Sequence, residues 1–253
     1  MCGITGIFNY KTKKDVQLSV LKRMTNKIVH RGPDDKRFYL DNFLGLGFTR
    51  LSIIDVSLGY QPMTSKCERY TIIFNGEIYN FEQIKQKYLY DFNFDTKSDT
   101  EVLLALYIKF NTKCLKYLDG MFAIAIYDKY LNELILIRDR LGKKPIFWTE
   151  TKDGIVFASE IKSILENKDI KFFPNLTSIS DFFTLGYCPG NDSAVNKIKE
   201  LEPGSFVKIS KSKKFDMWWK LSSSREIQKN YNFNWDKQVK NSIREAVIKR
   251  LRS

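Results

Sequence analysis

The chain has 253 residues, with 42 Lys and Arg against 29 Asp and Glu, a formal net charge of +13. Hydrophobic residues make up 43% and aromatics 14%, enough to close a sizeable core, so a disordered chain is excluded. At ~150 residues per domain the length suits one large domain, or one domain and a fragment, and no stretch approaches the ~20 uncharged apolar residues of a membrane span.

The opening Met1-Cys-Gly-Ile-Thr-Gly-Ile-Phe8 lacks the basic start and long apolar run of a signal peptide, so a cytoplasmic protein is expected. Cys2 to Phe8 reads as a short strand. Val16, Val20, Leu21, Met24 and Ile28 fall at helical spacing. Residues 43–54 and 70–75 are β-like, and a helix follows over about 81–90. Ser98-Asp-Thr-Glu101 has the form of a capping box, whose side chains satisfy the first unpaired N–H groups of a helix; it opens a helix over 102–110. Residues 121–127 and 134–137 are apolar throughout and are joined by the hairpin-like 128–133. Residues 145–148 and 155–158 pair around Lys152-Asp-Gly154. Strands apolar on both faces need cover on both, which predicts a layered α/β sandwich. The densest lysine cluster, Lys208 to Lys214, reads as a loop between strands. Composition changes after Lys211, and Ser222-Ser-Ser224 with the polar residues to Asn234 read as a linker. A helix follows over 235–251, with Trp235, Val239, Ile243, Val247 and Leu251 four residues apart. That apolar stripe needs a surface to cover it.

Charge and cysteine usage narrow the chemistry. The lysines are dispersed along the chain, which speaks to solubility and not to a nucleic-acid groove. Cys2, Cys67, Cys114 and Cys188 form no C-x-x-C pair and there is one His, so no zinc site is expected and the thiols are read as reduced. Cys2 is the first residue of interest. Removal of the initiator Met would leave a Cys with its own α-amine. Such an amine, with a pKa near ~7.7–8.0, accepts a proton at neutral pH. Nucleophile and base would then share one residue; the plainer alternative is a small buried hydrophobe. Phe74-Asn-Gly-Glu77 offers an Asn amide beside a Gly N–H, two donors that suit an oxyanion, or else an ordinary Asn-Gly turn. Arg50 closes a strand, where its planar fork suits a carboxylate or a surface charge. Asp99 suits either a helix start or a substrate ammonium. His30 stands in His30-Arg-Gly-Pro-Asp34, where it is expected to tie the turn by hydrogen bonds, a general base being the alternative.

The combination is more specific than its parts. Met1-Cys-Gly-Ile-Thr-Gly-Ile-Phe8, His30-Arg-Gly-Pro-Asp-Asp35, Arg50-Leu-Ser-Ile-Ile-Asp55, Gln61-Pro-Met63 and Phe74-Asn-Gly-Glu-Ile-Tyr-Asn80 occur in order. Ser98-Asp-Thr-Glu101, Gly120-Met-Phe-Ala123, Arg138-Asp-Arg-Leu-Gly-Lys-Lys-Pro145 and Phe157-Ala-Ser-Glu160 follow. From Cys2 to about Trp219 the chain resembles the glutaminase domain of glutamine-hydrolysing asparagine synthetases, which are class II, N-terminal nucleophile amidotransferases. The resemblance implies an α+β fold, the four-layer αββα sandwich of N-terminal nucleophile hydrolases. It implies Cys2 as the nucleophile and Asn75 and Gly76 as the oxyanion hole. Arg50 matches the α-carboxylate ligand, Leu51, Ser52, Ile53 and Ile54 line the site, and Glu77 and Asp99 hold the α-ammonium.

The domains implied are a glutaminase over 2–210, then a linker and the first helix of a synthetase domain over 211–253. The family's Ser-Gly-Gly-Leu-Asp-Ser pyrophosphate loop does not occur in the sequence. No cofactor is therefore expected in this chain, and ATP and magnesium are expected only for the synthetase domain. The expected function is hydrolysis of L-glutamine to L-glutamate and ammonia for amidation of aspartate. Another acceptor, or a non-catalytic glutamine-binding module, are the alternatives. Expected partners are L-glutamine, a synthetase domain or subunit, and a second copy in a homodimer, but neither nucleic acid nor membrane.

Overall fold

The computed structural model describes residues 1–52, 55, 58–221 and 234–251. Alternation of side chains is the rule that builds it. Elements follow in the order β1 (Gly3–Phe8), α1 (Leu18–Asn26), β2 (Asp35–Asp41), β3 (Leu44–Arg50), β4 (Met63–Thr64), β5 (Tyr70–Ile78), α2 (Phe81–Tyr88) and α3 (Asp99–Phe110). Then come β6 (Gly120–Asp128), β7 (Glu133–Arg138), β8 (Phe147–Glu150), β9 (Ile155–Ala158), α4 (Ile161–Ile164), α5 (Leu176–Leu185), β10 (Lys199–Glu200), β11 (Ser205–Ile209), β12 (Lys213–Met217) and α6 (Trp235–Arg250). The strands make two antiparallel sheets, ordered β10-β8-β9-β1-β3-β2 and β12-β11-β7-β6-β5-β4.

Three cores separate four layers. Ile4, Phe8, Leu46 and Phe48 of the first sheet meet Ile73, Ala123, Ala125 and Tyr127 of the second. The intervening residues of the same strands, Ile72, Phe74, Ile124 and Ile126, point the other way onto α2 and α3. On the outer face of the first sheet, Ile7, Val156 and Ala158 pack with Met24 and Ile164 of α1 and α4. Period-two alternation thus divides each apolar strand between two cores, and the expected αββα sandwich is what forms.

Several boundaries differ from the sequence reading. β5 runs on through Ile78, with Asn75 opposite Ala123 and Gly76 opposite Phe122 on β6. Asn75-Gly76 is therefore inside a strand, not at a turn. A Cβ on Gly76 would collide with the Met121 carbonyl and the Phe122 backbone, so this close strand contact needs glycine. α3 starts at Asp99, and only half of the capping box closes. Ser98 Oγ accepts from the Thr100 N–H, but Glu101 turns away to accept from the N–H groups of Asp95 and Thr96. The lysine cluster is a hairpin rather than a loop alone: Lys208 pairs with Lys214 and Ile209 with Lys213. The sheet consequently continues past residue 210, where the sequence placed a linker. Lysines on an edge strand read as loop residues because they are polar, yet charge is how an edge strand avoids further pairing. α6 forms, and its stripe of Trp235, Val239, Ile243, Val247 and Leu251 is exposed. Ile53, Ile54 and Ser222 to Ser224 lie outside the described residues. Among the described residues, no helix is long and apolar enough to cross a membrane.

Candidate active site

The register of β1 against β3, Gly3 opposite Thr49, sets Cys2 beside the end of β3. The Leu51 N–H donates to the Cys2 Sγ at 3.4 Å, and the thiol reaches the Leu51 carbonyl at 3.6 Å. Burial pushes the Cys2 thiol pKa up, with the Leu51 N–H and the N-terminal charge pulling against it. Burial pushes the N-terminal amine down, helped by Arg31 and Lys144. The two shifts favour a protonated Cys2 thiol next to a neutral Met1 amine.

The N-terminal strand is anchored by charge. Arg31 donates from Nε to the Cys2 carbonyl at 3.0 Å and from Nη1 to Glu160 at 3.0 Å. His30 Nε2 lies 2.8 Å from the same Glu160 oxygen, and Lys162 reaches the other at 3.1 Å. Burial alone would raise the Glu160 pKa, but bonds from Arg31, His30 and Lys162 bring it down to about 2. His30 is thereby committed to a structural role.

A cavity opens beside Cys2, lined also by Arg50, Leu51, Asn75, Gly76, Glu77 and Asp99. The sequence-predicted residues thus come together from both sheets and from the start of α3. Among the described ones Ser52 is the exception: its N–H donates to Asp34 at 2.7 Å and it lies outside this cavity. Arg50 is buried, bonding the Asp55 carbonyl at 2.6 Å with its guanidinium 5.0 Å from the Tyr60 ring centre. Asn75 is 1% exposed, and its Nδ2 has no partner among the described residues. An amide N–H buried without a partner carries a desolvation cost, which an incoming oxygen would relieve. Asp99 accepts the Ile78 N–H at 3.0 Å; burial pushes its pKa up to about 7, against that bond and with the help of Glu77.

Sequence reasoning missed the residues that hold these in place. Gln61 bonds Thr100 Oγ1 at 3.1 Å and accepts from the Phe74 N–H, linking α3 to β5. Lys144 lines the same cavity. Both occur in the motifs that carry the resemblance, which was the available signal. Among the described residues no cluster of three His, Cys, Asp or Glu could hold a metal ion.

Comparison with known proteins agrees with this geometry. Residues 1–219 match the glutamine amidotransferase domain family. Glutamine-hydrolysing asparagine synthetase 3 of Bacillus subtilis is 38% identical over 231 residues, covering 89% of this chain and 38% of that protein. Asparagine synthetase B of Escherichia coli is 38% identical over 182 residues, covering 69% of this chain and 32% of its own length. The chain therefore spans about a third of the relatives it matches. Among solved structures, the glutamine phosphoribosylpyrophosphate amidotransferase of B. subtilis superposes with a TM-score of 0.62 at 20% identity, over 86% of this chain and 49% of that one. That likeness shows a shared fold, and the match over residues 1–219 places the chain in the glutamine amidotransferase domain family.

Proposed function

We propose that this chain hydrolyses L-glutamine to L-glutamate and ammonia, with Cys2 as nucleophile once Met1 is removed. The observation that carries the reading is the buried, unpartnered Asn75 Nδ2 lining the cavity of the Cys2 thiol. In the first step the thiol proton passes to the α-amine. The Sγ–C bond forms at the side-chain amide, and the carbonyl π electrons move onto oxygen, which Asn75 and Gly76 stabilise. Collapse of that intermediate breaks the C–N bond, and the proton leaves with ammonia. Water then cleaves the thioester and releases glutamate.

Arg50 holds the α-carboxylate through its planar fork, with Leu51 beside it, while Glu77 and Asp99 hold the α-ammonium. Two carboxylates facing one cation in a buried pocket suit an amino acid and not a neutral amide. The ammonia goes to amidation of aspartate in a protein of the relatives' length. The names of those relatives and their longer chains support this step. ATP and magnesium, and any synthetase subunit, belong to that step and not to residues 1–219. We place the reaction in the cytoplasm, where free thiols stay reduced.

The test is a glutaminase assay on the intact chain and on Cys2→Ala, with intact mass recording the mature N-terminus. Turnover in the wild type and none in the variant is expected. Equal ammonia release from both, or full activity in protein that retains Met1, would overturn the assignment.

A further inference from the structure

Lys144 is a charged side chain in an expensive place. It is 6% exposed, and among the described residues its ammonium makes no ion pair. Its one hydrogen-bond contact is with the Met1 Sδ at 3.0 Å. A thioether is a weak acceptor, so this contact does little to offset the burial of a charge. The loop that carries Lys144 is nonetheless built with care. The Asp139 carboxylate accepts from the backbone N–H groups of Phe122, Leu141, Lys143 and Lys144. Arg138, itself buried, donates to the carbonyls of Lys144, Leu201 and Gly142 and to Glu200. A loop held this firmly delivers its side chain to one place, and that place is the wall of the Cys2 cavity.

The other charges around Cys2 are already committed. Arg31 spends Nε on the Cys2 carbonyl and Nη1 on Glu160. Arg50 bonds the Asp55 carbonyl. Glu77 on β5 and Asp99 on α3 face the cavity as acids, and Asp139 is occupied by backbone N–H groups. Lys144 supplies a positive charge that none of these cancels by direct contact.

We propose that Lys144 is a positioning residue for amide cleavage: its ammonium sets the field at the N-terminus, so that the freed α-amine rests neutral and able to take the thiol proton, and the Cys2 thiolate left by that transfer is stabilised. A cation nearby favours both states, since it stabilises the anion and disfavours a second cation. Loss of Met1 takes away the one hydrogen-bond contact the Lys144 ammonium makes among the described residues and leaves it to act on the new N-terminus. This inference rests on the proposed glutaminase reading for its kinetic part only.

The test compares Lys144→Met, Lys144→Gln and Lys144→Arg in the full chain. The rate of Cys2 alkylation by iodoacetamide, located by peptide mass among the four cysteines, is followed from pH 6 to 10 beside the pH profile of glutamine turnover. Both neutral variants are expected to alkylate about three- to tenfold more slowly at pH 7. The acid limb of their kcat/KM profile should move to higher pH, and Lys144→Arg should restore both. Melting curves show which variants are folded, and either neutral one suffices. Unchanged alkylation and an unchanged pH profile in a folded neutral variant would overturn the role. A wild type without glutamine turnover would instead strike the proposed function, while the alkylation comparison would still decide Lys144.

Discussion

Asp99→Asn should make the protein more stable and a worse enzyme. The carboxyl is fully buried and its pKa is pushed from 3.8 to about 7. A carboxyl whose folded pKa lies above its unfolded one binds protons more tightly when folded, so folding loses stability as pH rises from about 4 to 7. That gap is worth about 4 kcal/mol as a ceiling above pH 7. Asparagine cannot ionise, keeps an oxygen for the Ile78 N–H, and escapes the loss, although its own N–H groups need partners and take back part of the gain. At about 2–4 °C per kcal/mol for a domain of this size, the variant should melt several degrees higher at pH 8. Its lead should shrink to nothing near pH 4. On the proposed role of Asp99, the same ionisation governs substrate binding. If only the carboxylate holds the ammonium, the competent fraction of wild type falls from about nine-tenths at pH 8 to about one-tenth at pH 6. The KM for glutamine should then rise about tenfold. Thermal melts at both pH values and steady-state kinetics read the two effects. A stability lead that is independent of pH, or that grows in acid, would refute the reasoning.

Asn75→Ala should lower kcat by about 10²–10³ with little change in KM, as for loss of an oxyanion donor. Arg50→Lys should do the reverse, raising KM because the single ammonium cannot reproduce the fork; initial rates on both variants separate the roles. Glu160→Gln should loosen Arg31, His30 and Lys162 together and lower the melting temperature above pH 4. The gap should close as pH falls through about 2, where the wild-type carboxyl is itself protonated. Amide exchange should be fast in α6, whose apolar stripe is exposed, and slow in β6, which is buried on both faces.

That Cys2, Arg50, Asn75, Gly76, Glu77 and Asp99 are candidates was legible because each stands in a short motif whose chemistry is local, and the structure brings them to one cavity. The two-sided burial of residues 121–127 and 134–137 was legible too, since unbroken apolar strands leave no face for water. What could not be read were relations across long separations. Glu160 meets Arg31 only when β9 lies beside β1, and Gln61 ties Thr100 to Phe74 only after β5 and α3 have packed. The half-closed capping box failed for the same reason: Glu101 found partners in Asp95 and Thr96 that the four-residue motif does not contain. The edge strand β12 was hidden by its lysines, because polarity marks a loop and a charged sheet edge alike.

The proposed nucleophile and oxyanion donor sit on opposite sheets, Cys2 just ahead of β1 and Asn75 in β5, with a shared apolar layer between them. That layer works as a spacer whose thickness sets how far the sulfur stands from the amide that must receive the negative oxygen. Side chains such as Ile4, Ile73 and Ala123 touch no substrate, yet a methyl group added or removed there changes the gauge of the reacting pair. Substitutions under α2 and α3 lie outside that gap and reach the site only through Asp99 and the strand that carries Asn75. Catalytic rate and packing volume are therefore coupled most directly in the middle of this sandwich, and kcat should vary with inter-sheet volume by more than the accompanying change in stability accounts for.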